Sequence, residues 1–584
     1  MQCLLLGNEA VAFGARDAGV TVASAYPGTP STEITETIAK FDEVYSEWAP
    51  NEKVAVETAI GASFAGARAI CAMKHVGLNV AADPLFTVSY TGVNGGLCIV
   101  VADDPGMHSS QNEQDSRFYA RSAHILMLEP SDSQECYDFT RLAFELSERF
   151  DTPVLLRLTT RVAHARSVVA LREKEQYLLK DYKKDMAKYV MVPANAIARH
   201  VVVEKRDALL REYAETAPLN RVERGQGKAC VVSSGISYQY VKEAFPDADV
   251  LKLGVVYPLP EELLKDFAAQ AKKLIVAEEL EPYIETHCRA IGIETLGKAR
   301  LTLQGELTPA MLRERFADIL PAGEAPQAVS AVTAEPAPPR PPALCAGCPH
   351  RGAFYVLGKL KLHVMGDIGC YTLGAMPPSS AIDACVCMGA SIGMVHGMDK
   401  ARGAQFAAKT VAVLGDSTFI HSGITGLIDI VYNKGVSTVI ILDNSITGMT
   451  GHQQNPATGI TIKGEKTRQI DLKKLCEAVG VERVRVCDPF DLKDFEKVVL
   501  EETAAAEPSV IIAQRPCILL KGVRRAAPCY IDREKCKKCM SCLRLGCPAI
   551  VRKPEGPSIN ESMCVGCGLC ARLCAFGAIC GRGE

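Results

Sequence analysis

Two cysteine runs close the chain. Cys536, Cys539 and Cys542 are spaced C-x2-C-x2-C with Cys547 beyond them; Cys564, Cys567 and Cys570 repeat the triplet, and Cys574 closes it. A tight loop presenting three thiolates, plus one thiolate from elsewhere, is a donor set for an iron–sulfur cluster. Structural zinc sites use paired C-x2-C knuckles instead, and disulfide frameworks belong to secreted chains, so these are the lesser alternatives. A second constellation lies upstream. An apolar run over 411–416 ends in Gly415-Asp416, a helical stretch covers 420–433, and a second apolar run over 437–442 leads into Asp443-Asn444. Such a β-α-β unit sets Asp416 and Asn444 at the carboxyl ends of two parallel strands, where open α/β sheets bind ligands. A carboxylate, an amide carbonyl and one main-chain oxygen, which we place at Ile446, suit Mg²⁺ shared with a phosphate. A plain βα turn with a capping Asp is the alternative.

The paired cysteine runs resemble a bacterial two-cluster ferredoxin, in which the fourth Cys of each run ligates the other cluster. That resemblance assigns Cys536, Cys539, Cys542 and Cys574 to one [4Fe–4S] cluster, and Cys564, Cys567, Cys570 and Cys547 to a second. The gap before Cys547 is one residue longer than the pattern, and Ala575 stands where a second Pro is usual. The spacing G-D-x(27)-N resembles the diphosphate motif of thiamine-diphosphate (ThDP) enzymes, with Ser417 where a Gly or another small residue is usual. Such enzymes set a buried carboxylate against N1′ of the aminopyrimidine, where it shares a proton. Asn51-Glu52 before a Gly/Ala-rich helix, with Gly61 nine residues on, looks like that pyrimidine-side motif. Glu57 is the competing candidate, and a carboxylate placed only for the helix dipole is the bland reading of Glu52.

Three further segments identify a family. Tyr26-Pro27-Gly28-Thr29-Pro30-Ser31, Cys345-Ala346-Gly347-Cys348-Pro349-His350 with Gly366-Asp367-Ile368-Gly369-Cys370, and Thr447-Gly448-Met449-Thr450-Gly451-His452 resemble stretches of the 2-oxoacid:ferredoxin oxidoreductases. The domain order is similar to that of large subunits acting on arylpyruvates. The resemblance implies oxidative decarboxylation of an arylpyruvate such as indolepyruvate, with coenzyme A taking the acyl group and ferredoxin the electrons. It implies ThDP, Mg²⁺, a smaller beta subunit and an α2β2 assembly. It places Thr29 near the substrate and Gly415, Ser417, Thr447 and His452 around the cofactor; His452 stands where relatives have Gly. Relatives bind the substrate carboxylate with an Arg; Gln111 falls at that place here, and Arg117 and His108 are nearby substitutes. Relatives also hold a third cluster, for which Cys345, Cys348, Cys370 and Cys517 are the set, with Cys385 and Cys387 competing from an apolar, helix-like run. The other cysteines, Cys98 and Cys230 among them, read as small buried hydrophobes. Two rival functions stay open: a non-oxidative ThDP decarboxylase with a regulatory tail, and an electron-transfer scaffold without catalysis.

These residues need elements to position them. The chain has 584 residues, 48% hydrophobic and 23% charged, with a net charge of −3 and 24 cysteines. That balance excludes wholesale disorder and argues against a nucleic-acid or anionic-membrane binder. With no apolar run long enough for a membrane span and no secretory signal, a cytoplasmic protein is expected. Apolar runs at 2–7, 70–73, 96–102 and 153–158 read as strands, and 9–18, 54–69 and 132–150 as helices, predicting a doubly wound α/β domain over 1–224. Its end, from about 170, is charged and helical. Runs at 228–233, 250–254 and 273–278 predict a smaller α/β domain over 225–320, transketolase-C-like by the resemblance. Residues 321–343, rich in Pro and Ala, read as a linker. A diphosphate-type α/β domain follows over 344–525, and a ferredoxin-like domain, tethered by a flexible joint after Lys521, over 526–584.

Overall fold

The computed structural model describes residues 1–226, 230–271, 274–320, 338 and 341–581. The chain forms two compact units, Met1–Ala334 and Glu335–Glu584. Most of the expected linker, and Lys228 and Lys273 of two expected strands, lie outside the described residues. No described helix is long and apolar enough to cross a membrane.

The first unit is built on a seven-stranded sheet. Its order is Val255–Tyr257, Met127–Leu128, Val154–Thr159, Leu97–Asp103, Ala69–Lys74, Val22–Ala25 and Tyr45–Trp48. All neighbours are parallel except Val255–Tyr257, which runs against Met127–Leu128. Helices cover both faces, so the central strands are buried throughout and read as continuous apolar runs. The helix expected over 54–69 is shorter, Glu52–Phe64. Gly66, at φ +96°, turns the chain out of the helix, and Ala69 already begins a strand. The segment from 171 to 185 forms neither helix nor strand; the helices of this region are Met186–Tyr189 and Pro193–Thr216.

A five-stranded sheet follows in the same unit, ordered Thr295–Leu296, Leu274–Ala277, Cys230–Ser234, Asp249–Leu253 and Arg221–Glu223, the last antiparallel. Val232, Leu251 and Val276 share a core with Ala69, Cys71 and Ile99 of the larger sheet. Together with the strand Val255–Tyr257, which joins the seven-stranded sheet, that shared core makes the two layers one body.

The second unit has a parallel five-stranded sheet, ordered His363–Met365, Thr410–Gly415, Thr438–Asp443, Ser509–Gln514 and Arg483–Cys487. The single helix expected over 420–433 is broken. Asp416–Thr418 makes a first turn, Phe419–Gly423 a π-helical turn, and only Ile424–Tyr432 is α-helical. Such π turns are frequent at functional sites. Residues from 526 onward form two short antiparallel ribbons, Tyr530–Ile531 with Ile579–Cys580 and Ile550–Lys553 with Gly556–Ile559. This region is not a loose tail. Phe490 shares a core with Cys529, Leu545 and Ile579, Arg351 donates to the Leu545 carbonyl at 2.9 Å, and Arg572 donates to the Phe490 carbonyl. Buried apolar contact and charged donors on carbonyls hold the region on the α/β domain, which corrects the expectation of a flexible tether.

Candidate functional site

In the first unit four adjacent parallel strands, Leu97–Asp103, Ala69–Lys74, Val22–Ala25 and Tyr45–Trp48, end on one edge of the sheet. The segments that follow them carry the chemistry. Asn51 caps the helix after Tyr45–Trp48, its side chain accepting from the Val54 N–H at 3.0 Å, and so fixes Glu52 in the first turn. Glu52 is only 4% exposed. Glu57 faces outward and pairs with Lys53 across one helical turn, so it is not the buried carboxylate. Gly77, on the short helix His75–Val80, passes directly beside Glu52. A Cβ there would lie 2.6 Å from Glu52 Oε1.

Thr29 is half-buried; its carbonyl accepts from the Ser109 hydroxyl at 3.1 Å, and Ser31 closes the turn onto the Gly28 carbonyl. Lys74 contacts residues on both sides of that bridge. Its stem packs on Gly28 and its ammonium donates to the Ser109 carbonyl at 2.9 Å. Burial lowers the ammonium's pKa, with Asp104 and Glu52 acting against that fall.

The expected substitutes for the missing Arg do not serve. Arg117 is fully buried, its guanidinium held by Asp115 at 2.5 Å and Glu278 at 2.6 Å. His108 pairs with Glu306 at 3.2 Å, and Gln111 lies exposed on the loop. Arg117 is committed because its partner Glu278 arrives from the second sheet, far along the chain.

In the second unit Asp416 is buried at the end of Thr410–Gly415, and Asn444 at the end of the neighbouring Thr438–Asp443. Asn455 donates to Asp416 Oδ2 at 3.1 Å and to the Thr447 hydroxyl at 3.3 Å, tying the two segments together. Burial, then the Asp443 carboxylate, pushes the Asp416 carboxyl up to about 7. Ile446 is buried and its N–H donates to Asn444 Oδ1. His350, fully buried and with its pKa lowered to about 4 by desolvation, stays neutral beside the Asn444 amide at 3.4 Å. Gly415 leaves room for the Tyr371 ring, which a Cβ would meet at 2.7 Å. The Tyr371 hydroxyl bonds the Ile368 carbonyl and Thr418 Oγ1. Ser417 is buried. His452 is exposed and takes φ +70°, a conformation natural for Gly. The side-chain oxygens of Asp416 and Asn444, buried at the ends of neighbouring strands, are donors of the kind taken by a hard cation that also binds phosphate, and Ile446 is buried two residues beyond Asn444.

The thiols fall into three groups. Cys536, Cys539, Cys542 and Cys574 line one cavity. Cys547, Cys564, Cys567 and Cys570 line another, together with Cys529. The Cys529 N–H faces Cys564 Sγ at 3.4 Å, so a fifth thiol, unnoticed in the sequence because it lies outside both runs, borders this cradle. The wall of the second cavity includes Ala346 and Gly347, the two residues between Cys345 and Cys348. Burial pushes Cys348 up to about 12 and Cys370 to about 11, and Cys345 adds to both shifts; Cys370 and Cys517 add one each. The Cys517 N–H donates to the Asn444 carbonyl at 2.9 Å, and a Cβ on Gly448 would touch Cys370 Sγ. These four thiols therefore border the Asp416–Asn444 edge. Cys385 and Cys387 lie in a non-helical segment, Cys387 exposed, not in the helix-like run expected. Cys98 and Cys230 are buried in strands. Among the described residues no three Cys, His, Asp or Glu side chains converge on a single ion-sized point. A cubane, which spreads its ligands around four irons, asks for a thiol-lined cavity instead; the first group lines one of about 290 Å³, and the second closes around a smaller one of about 20 Å³.

Asn455, Gly77 and Lys74 went unnoticed in the sequence. The segment Gln453-Gln454-Asn455-Pro456, directly after Thr447–His452, was the one available signal for Asn455.

Comparison with known proteins adds the following. Residues 13–226 match the family described as pyruvate flavodoxin/ferredoxin oxidoreductase, thiamine diphosphate-binding. Residues 367–513 match the C-terminal TPP-binding domain of thiamine pyrophosphate enzymes. The indolepyruvate oxidoreductase subunit IorA of Archaeoglobus fulgidus is 41% identical, over 98% of this chain and 97% of its own. The same subunit of Pyrococcus abyssi is 40% identical over 98% and 96%, and that of Methanothermobacter thermautotrophicus 40% over 99% and 97%.

Proposed function

Because the chain belongs to the family of indolepyruvate oxidoreductase subunit IorA, we propose that it is the ThDP-binding subunit of an arylpyruvate:ferredoxin oxidoreductase. The net reaction converts an arylpyruvate such as indolepyruvate and coenzyme A to an aryl-acetyl-CoA and CO₂, and two electrons leave singly to ferredoxin. Bound ThDP supplies the nucleophilic carbon and the electron sink that decarboxylation of a 2-oxoacid requires.

The chain's own residues do the rest. Glu52, buried and pinned by its helix cap, holds the proton shared with the aminopyrimidine N1′. Asp416, Asn444 and the Ile446 carbonyl hold Mg²⁺, and Asn455 orients Asp416 toward it. Gly415, Ser417, Thr447 and His452 border the diphosphate, and Thr29 the substrate. Cys345, Cys348, Cys370 and Cys517 hold a [4Fe–4S] cluster beside Asn444. Cys564, Cys567, Cys570 and Cys547 hold the next, and Cys536, Cys539, Cys542 and Cys574 the last. A smaller beta subunit completes the enzyme as α2β2.

One observation favours this over a non-oxidative decarboxylase with a regulatory tail. The two thiol-lined cavities belong to the same unit that carries Asp416 and Asn444, and one of them shares a wall with the Cys345–Cys348 loop. The test is viologen or ferredoxin reduction by the chain co-produced with its smaller subunit, run on a panel of 2-oxoacids with and without coenzyme A. Reduction that depends on an arylpyruvate and on coenzyme A is expected. Acyl release as aldehyde and CO₂ without dye reduction would leave the decarboxylase reading standing instead.

A further inference from the structure

The cation for a 2-oxoacid carboxylate is unassigned once Arg117, His108 and Gln111 are set aside. The edge of the sheet where Thr29 and Glu52 lie holds several positive side chains, and nearly all are spoken for. Arg117 is bound to Asp115 and Glu278, Arg157 to Asp103 and Glu129, Arg161 to Glu306, and His164 faces Glu33. Lys74 is different. It ends the strand Ala69–Lys74, between the segments that carry Thr29 and Ser109, and is 9% exposed. Among the described residues it forms no ion pair, and its ammonium has one acceptor, the Ser109 carbonyl. An ammonium carries three N–H donors, so two have no protein partner. A buried charge in that state is costly unless an anion arrives to meet it. The next residue repeats the pattern: His75 is fully buried, its Nε2 faces the Asn112 carbonyl at 3.2 Å, and its Nδ1 has no partner.

We propose that Lys74 binds the carboxylate of the 2-oxoacid substrate, held in place by the Ser109 carbonyl and by the Gly28 backbone against its stem. The assignment rests on the function proposed above. Ser109 joins the two contacts, its carbonyl accepting from the ammonium and its hydroxyl donating to the Thr29 carbonyl, so a carboxylate on Lys74 would lie beside the Thr29 segment, with the carbon that is lost as CO₂ anchored by charge and the aryl group left outside this contact. The bland alternative is a clamp: Lys74 merely fastens the 104–112 loop through Ser109.

Two neutral variants and one pair of ligands separate the two. Indole-3-propionate and its primary amide keep the aryl chain and differ in charge at the carboxyl end. Their binding is read by competition with indolepyruvate in the ThDP-loaded complex. A hydrogen-bonded buried charge is worth about 1.5–3 kcal/mol, hence about 10- to 150-fold in affinity. Lys74→Met and Lys74→Gln should weaken the carboxylate by about that factor, leave the amide unchanged and raise the KM for indolepyruvate more than they lower kcat. Lys74→Arg should restore part of the carboxylate preference. A clamp would weaken both ligands alike, and an unchanged carboxylate-to-amide ratio in either folded variant overturns the assignment. Wild-type complex that binds ThDP yet neither ligand nor indolepyruvate would instead overturn the arylpyruvate reading, and the Lys74 assignment with it.

Discussion

Gly77→Ala is the smallest change that should disable Glu52 without touching it. A methyl at Gly77 would stand 2.6 Å from Glu52 Oε1, 2.7 Å from its Cγ and 2.9 Å from its Cδ. Ordinary contact begins near 3.4 Å, so the carboxyl must retreat by about 0.8 Å. Glu52 is buried and its helix is capped, so the retreat tilts the carboxylate away from its working position. A misplacement of roughly 1 Å costs on the order of 10²-fold in rate. Gly to Ala within a helix otherwise adds up to about 1 kcal/mol of stability. The expected variant is therefore as stable as wild type or more so, and about 10²-fold slower. Glu52→Gln, which cannot share the proton, should lose about as much or more, and combining the two should cost little beyond Glu52→Gln alone. Gly61→Ala is the control: it lies on the Glu52 helix with open space around it, so it should keep turnover and gain stability. Turnover and thermal melting of the four proteins decide the matter. Wild-type turnover in Gly77→Ala, or losses that multiply in the double variant, would refute the argument.

Three further outcomes follow from the second unit. Asn455→Ala removes a donor from buried Asp416, and calorimetry should show Mg²⁺-ThDP affinity falling about 10- to 100-fold; unchanged affinity would remove Asn455 from the site. Without metal the Asp416 carboxyl titrates at about 7, raised by burial, so below that pH it holds a proton that Mg²⁺ must displace. Mg²⁺-ThDP affinity should thus weaken as pH falls from 8 to 6, and a flat profile would count against Asp416 as ligand. Anaerobic iron and sulfide analysis of the full chain should give about twelve irons, falling to about eight in Cys345→Ser/Cys348→Ser; eight in both would dismiss the third cluster.

Much of the site was legible because its signals are local. Cysteine spacing is set by a loop wrapping a cluster and marks the two triplets, while the exchange of Cys547 and Cys574 between the two cavities follows the resemblance to a two-cluster ferredoxin and not the order along the chain. Buried parallel strands such as Leu97–Asp103 and Thr438–Asp443 stand out as unbroken apolar runs. The motif already preferred Glu52 to Glu57, and Glu52 is the buried one of the two while Glu57 lies exposed against Lys53. What could not be read depends on distant partners. Arg117 looked available because its acceptor Glu278 lies 161 residues away. Lys74 looked like any strand-end lysine, since its isolation comes from what is missing around it in space. The joint expected after Lys521 is not loose, because Phe490 and Arg351, from far back in the chain, hold the tail through its core, the Leu545 carbonyl and Arg572. The helix at 54–69 ran too far because Gly66 and the following apolar residues fit either a helix or a turn into a strand.

If the proposed function is right, electrons from a 2-oxoacid reach iron–sulfur clusters carried by this chain. An anaerobic mixing experiment on the ThDP-loaded complex, following cluster absorbance and low-temperature EPR after adding indolepyruvate, tests it most directly. Bleaching and a reduced-cluster signal are expected, both requiring ThDP and the 2-oxoacid and both vanishing in Glu52→Gln. Release of CO₂ while the clusters stay oxidised would contradict it.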